Sequence, residues 1–126
     1  MTHKIAIKWI YAAKNEQDGT RALVDSVLPH GRDLHDLDID IWCQQAAPTS
    51  SLKRQLTKGE LDWKRFSHSY REALHQQPQK LNALIETATQ GNLTLLTAER
   101  EPEQTWLPLL KDMLETRIQT KLGQRN

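Results

Sequence analysis

A small three-layer α/β domain, with a short, mainly parallel three-stranded sheet flanked by about five helices, is what this sequence predicts. Two apolar segments read as strands: "KIAIKWIY" near the start alternates with a period of two, and "LTLLTA" near the end is short and almost wholly apolar or Thr. Between a second predicted strand, which ends at Leu28, and "LTLLTA" lie long stretches in which apolar residues recur at steps of three and four, ample for the crossover that parallel pairing requires. A length of 126 residues with 37% hydrophobic residues suits one core, so the chain reads as a single domain over residues 1–126 with a tail that frays from about residue 119.

Each element follows from local pattern. Ile5, Ile7, Trp9 and Tyr11 form one face of the first strand, Lys4 to Tyr11. After the turn dipeptide Asp18-Gly19, "RALVDSVL" (Arg21 to Leu28) is the second strand, stopped by Pro29, and the direction of these two strands relative to one another stays open. In "HGRDLHDLDIDIWCQQAAP" the residues Leu37, Ile39 and Ile41 alternate with Asp36, Asp38 and Asp40. Leu37, Ile41 and Trp42 also suit a helix, and the reading adopted is a loop followed by a short helix ending at Pro48. "TSSLKRQLTKG" predicts a short helix between a hydroxyl cap and Gly59. Trp63, Phe66, Tyr70 and Leu74 mark one face of a helix from about Asp62 to Gln77. Pro78 opens a further helix with Leu81, Leu84, Ile85 and Ala88 on its inner face, stopped at Gly91-Asn92. Leu93 to Ala98 is the third strand, and Trp106, Leu110, Met113, Leu114 and Ile118 trace the last helix.

Composition and motifs exclude several functions. With 17 Lys and Arg against 16 Asp and Glu, the formal charge of +1 gives no global field for nucleic acid or an acidic membrane, and both are disfavoured as partners. The single Cys43 allows neither an internal disulfide nor a Cys-based zinc site, which fits a reducing, cytoplasmic compartment. The five glycines are too far apart for GxGxxG or a P-loop, so no cofactor can be named. "DLDID" imitates the start of a calcium loop, but Ile41 stands where Gly is needed and Ala47 where Glu is needed; no metal site is assigned. Ser26, His30 and Asp25 lie too close in sequence to converge as a hydrolase triad and match no nucleophile elbow. The four tryptophans each occupy the apolar phase of an element, which favours core packing over base stacking.

"DGTRALVDSVLPHG", "APTSSLKRQL", "WKRFSHSYREAL" and "LTLLTAEREPEQ" occur in an order and spacing that resembles the YeaO-like proteins, the bacterial family called domain of unknown function 488. The resemblance runs from Tyr11 to about Leu114 and implies a small α/β fold, a cytoplasmic bacterial protein and no established activity. Asp18, Gly19, Arg21, Asp25, Pro29 and Gly31 match the family's first block, whereas Ser26, Leu28 and His30 replace its usual Arg, Trp and Arg. Thr97 stands in place of an aromatic, and Thr105, Trp106 and Leu107 in place of an Asn-His-Ala helix start.

In open α/β sheets ligands collect outside the carboxyl ends of the strands. That places Tyr11 after the first strand, Asp25, Ser26 and His30 after the second, and Thr97, Glu99 and Arg100 after the third. Arg21 and Arg100 are candidate anion donors, and Asp25 is a candidate acid, base or orienter, against its alternative as a structural carboxylate paired with an Arg. The expected function is a small-molecule or anion-binding domain with an active site at the strand ends that has lost part of its equipment, and Asp25, Ser26 and His30 are its catalytic candidates. The alternative is a non-catalytic interaction module, homodimeric through Trp106 or Leu107.

Overall fold

The computed structural model describes residues 3–29 and 31–123, with side chains described as far as residue 120. Four strands, β1 (Ile5–Trp9), β2 (Thr20–Leu23), β3 (Ile41–Trp42) and β4 (Leu93–Thr97), form one sheet in the order β1-β4-β2-β3, and every pairing is parallel. Among the described residues four α-helices accompany it: α1 (Ser50–Thr57), α2 (Trp63–Gln76), α3 (Asn82–Gln90) and α4 (Leu107–Gly123). The predicted α/β class holds, with one strand more and one helix fewer than expected. No helix among the described residues is long and apolar enough to cross a membrane.

β4 lies between β1 and β2, and all five of its residues are buried, which explains its uninterrupted apolar composition. β1 and β2 therefore run parallel without touching, each paired to β4. The connection between them is short for a crossover, but strands of five and four residues demand little travel. Ten residues can reach about 33 Å, against a return path of roughly half that length plus two strand spacings. The last step of this connection is Gly19, at φ 64, where an added Cβ would lie 2.1 Å from the Asn92 carbonyl oxygen. Only glycine lets the chain pass so close to Asn92 and turn into β2, where the Thr20 N–H donates to the same carbonyl at 3.0 Å.

The two sheet faces are covered differently. Ile5, Ala22, Leu93 and Leu95 pack against Phe66, Tyr70 and Leu74 of α2, Leu84 of α3, and Leu107, Leu110 and Leu114 of α4. The opposite face, with Leu23 and Leu96, packs with Ile10, Leu37 and Ile39, so the third layer here is loop rather than helix. The short helix expected before Pro48 gives way to β3 and a single 3-10 turn, Gln44–Ala46. Its backbone is captured by β2 instead: the Asp40 N–H donates to the Arg21 carbonyl at 2.8 Å and the Cys43 N–H to the Leu23 carbonyl at 2.8 Å.

Helix boundaries follow their caps. The Thr49 side chain accepts the Leu52 N–H, and the Asp62 carboxylate accepts the Arg65 N–H. The helix expected from Pro78 begins as a 3-10 turn, Pro78–Leu81, before α3. The second strand ends at Leu23 rather than Leu28, because the chain bends where Asp25 takes up partners at the end of β4 and just beyond it. α4 continues through Gly123, beyond the point where a frayed tail was expected, and residues 124–126 lie outside the described residues.

Candidate functional site

The carboxyl ends of the strands are tied together by Asp25. Its Oδ1 accepts the Thr97 hydroxyl at 2.7 Å, and its Oδ2 accepts the Ala98 N–H at 2.8 Å. Its main-chain carbonyl accepts the Trp42 indole N–H at 2.9 Å, so one residue links the ends of β2, β3 and β4. Thr97 is fully buried; its hydroxyl also accepts the Glu99 N–H at 3.1 Å, and its carbonyl accepts the Ile10 N–H at 2.8 Å. Hydrogen bonds to a carboxylate contribute about 1.5–3 kcal/mol each when well formed, so this knot is a substantial fastening.

Around it sit the aromatic and charged candidates. The Trp9 indole N–H donates to the Ala98 carbonyl at 3.3 Å, and the Arg100 guanidinium lies 5.9 Å from the centre of its ring. Tyr11 meets Trp9 edge-on, ring centres 5.1 Å apart. Glu99 and Arg100 are exposed and line a groove of about 450 Å³ with Glu101, Gln104 and Thr105. Ser26 is half-buried in the bend that follows Asp25, and His30 lies outside the described residues.

Arg21 is not part of this knot. It sits on the loop-covered face of β2, only 2% exposed, and turns towards the start of the strand. Its Nη1 donates to Asp18 Oδ2 at 2.7 Å and its Nε to the Asp38 carbonyl at 2.8 Å. Lys8 completes the cluster, donating to both Asp18 oxygens at 3.0 Å. Burial pushes the Asp18 carboxyl up, but hydrogen bonds from the Asn15 N–H, Lys8 and Arg21 outweigh it and hold the group below the usual carboxylate range. Tyr11 and Arg21 do share a cavity of about 210 Å³, which Lys14, Arg32, Asp36 and Asp38 also line. The sequence candidates thus fall into two groups: Asp25, Thr97, Glu99 and Arg100 at the strand ends, and Arg21 at the loop-covered face, with Tyr11 reaching both.

The aspartates between Asp33 and Asp40 are tied into the local backbone. Asp33 accepts the Asp36 N–H at 2.8 Å; Asp38 adopts φ 54, a conformation its short polar side chain tolerates; and Asp40 accepts the Arg21 N–H at 2.9 Å. Among the described residues no three His, Cys, Asp or Glu side chains gather closely enough to hold a metal ion. Burial raises the Cys43 thiol, and it raises the buried Tyr70 phenol well above its ordinary value, so Tyr70 stays protonated and donates to the Ala46 carbonyl.

Two features escape the sequence reading. The Lys8, Asp18 and Arg21 cluster is one, although a Lys interrupting an apolar strand was its signal. The other is Trp63, assigned to the inner face of α2 but 47% exposed, stacked on Phe66 at 5.3 Å beside a groove of about 530 Å³. Conversely Trp106 and Leu107, expected as a dimer surface, are buried at 6% and 0% exposure, with Trp106 packed edge-on against Tyr70.

Fold and strand ends together define a small parallel α/β domain whose strand carboxyl ends are tied together by the chain's own hydrogen bonds. The family model described as "Inactive DUF488-N3 subclade" matches residues 4–126, and the chain belongs to that family. It is 30% identical to the uncharacterised protein YeaO of Escherichia coli K12 over 112 residues, 89% of this chain and 97% of that protein. An uncharacterised protein of Mycobacterium bovis and one of Mycobacterium tuberculosis are each 27% identical over 114 residues, 90% of this chain and 96% of theirs. No solved structure matches the chain.

Proposed function

We propose that this chain is a non-catalytic interaction domain that keeps its family's scaffold and uses the strand ends as a fastening. The observation that carries the reading is Asp25: each carboxylate oxygen already accepts an internal hydrogen bond, at 2.7 and 2.8 Å. A catalytic acid or base must present itself to a substrate proton, whereas both Asp25 oxygens are turned to Thr97 and Ala98. Arg21 supports the same reading, since Asp18 and two main-chain carbonyls take up its guanidinium. The replacement of the family's usual Arg, Trp and Arg by Ser26, Leu28 and His30 agrees with a matching model that is itself described as inactive.

The test is a thermal-shift screen with inorganic phosphate, nucleotides and common metabolites. The expected result is an unchanged midpoint with each ligand at millimolar concentration. A ligand at about 100 times its Kd adds about 2.7 kcal/mol, a shift of several degrees for a domain of this size. Such a shift, lost in Asp25→Asn or Arg100→Ala, would overturn the reading. A second reading, a small-anion site, is favoured by Lys14 and Arg32 at the 210 Å³ cavity beside Tyr11. Stabilisation by inorganic phosphate that disappears in Arg32→Ala would select it.

A further inference from the structure

We propose that the Trp63 groove is an isologous self-association surface, where a second copy of this chain docks about a two-fold axis. The proposal rests on the interaction-domain reading and gives that reading a surface and a partner. The groove, about 530 Å³, runs between α2 and the first turns of α4 with the segment before it, and Trp63, Pro108 and Leu109 are its apolar lining. Trp63 is pre-arranged: its ring lies on Phe66 with the planes 21° apart, and Phe66 is fully buried. A half-exposed Trp on a rigid support is the residue type that anchors interfaces, because little side-chain freedom remains to be lost on docking.

The charges beside the groove say which partner fits. On the α2 side, Arg71 lines the groove and Lys64 lies seven positions earlier on the same exposed helical face; Asp112 and Glu103 line the other side. One side is basic and the other acidic, so a two-fold axis that lies in the interface along the length of the groove sets each basic side against the partner's acidic side. The present Arg71–Asp112 contact is loose, 3.5 Å between side chains that are 44% and 63% exposed, so both groups can exchange to the second copy. A formal charge of +1 leaves little net repulsion between two copies.

Sedimentation velocity over about 1 to 200 μM of the full chain tests this, and a concentration-dependent dimer is expected. Trp63→Lys raises the dimer Kd about thirtyfold or more, the loss typical of a central anchor. Arg71→Glu alone and Asp112→Arg alone each weaken self-association, because each sets like charges together twice. An equimolar mixture of those two variants regains a mixed dimer, because both cross-contacts are then of opposite sign. Far-UV circular dichroism checks that each variant is folded, and recovery in the mixture is evidence of that in itself. A wild type that stays monomeric throughout, or a mixture that associates no better than either variant alone, overturns the proposal. The ligand screen is independent of both outcomes, so a monomer that binds no metabolite refutes this surface and leaves the non-catalytic reading standing.

Discussion

At the residue scale, buried charge is committed to holding the chain in shape. Asp25→Asn keeps the size of the side chain but replaces one acceptor oxygen with a donor that faces the Ala98 N–H or the Thr97 hydroxyl. We expect a loss of about 1–3 kcal/mol in urea unfolding, the usual result of leaving such groups unsatisfied. Asp18 sets a pH dependence. Its carboxyl is held below the ordinary value of about 3.9, so its stabilising contribution is fully present above that pH. The contribution is lost as pH falls through the lower folded value. Unfolding free energy therefore drops on the acid side of about pH 4, and Asp18→Asn flattens that limb while lowering stability at neutral pH. Cys43, with its thiol raised by burial, should react with iodoacetamide at pH 8 far more slowly than the same thiol in urea.

At the element scale, what was legible in the sequence is what is decided locally. α1 and α2 begin at the predicted positions because Thr49 and Asp62 cap their own helices, and β4 was plain because burial on both faces removes polar residues from it. β3 was hidden because two residues carry no period, and its pairing is decided by β2, about twenty positions earlier. Likewise the strand-end residues could be named, but the role of Asp25 depends on Thr97, 72 positions away, and nothing in the sequence says that they meet. The α2 stripe misled at Trp63 alone: the helical period continues to the first turn, but the burial that covers Phe66, Tyr70 and Leu74 does not reach so far. Gly19 gives the sharpest prediction at this scale. Gly19→Ala drives a methyl into the Asn92 carbonyl at a positive φ, and we expect a loss of about 3 kcal/mol or more, or an insoluble product.

At the scale of the whole molecule, helices cover one sheet face, a loop fastened by Arg21 covers the other, and the carboxyl ends are closed by Asp25. Arg21→Met should therefore loosen the 32–40 loop first, seen as faster amide exchange at Ile39 and Asp40 before global unfolding. The central place of β4 also sets an order of events. β1 and β2 have no pairing with one another, and the strand that joins them begins only at Leu93. During synthesis the first ninety or so residues can form helices and the short β2–β3 pairing, but β1 must wait, its edge open, for a strand that arrives late. A fragment ending at residue 91 should show helical signal without a cooperative transition, and refolding of the full chain should be slow for its size. Until Leu93–Thr97 is inserted between them, β1 and β2 are two unfinished edges, and it is in that interval that the chain is most exposed to aggregation.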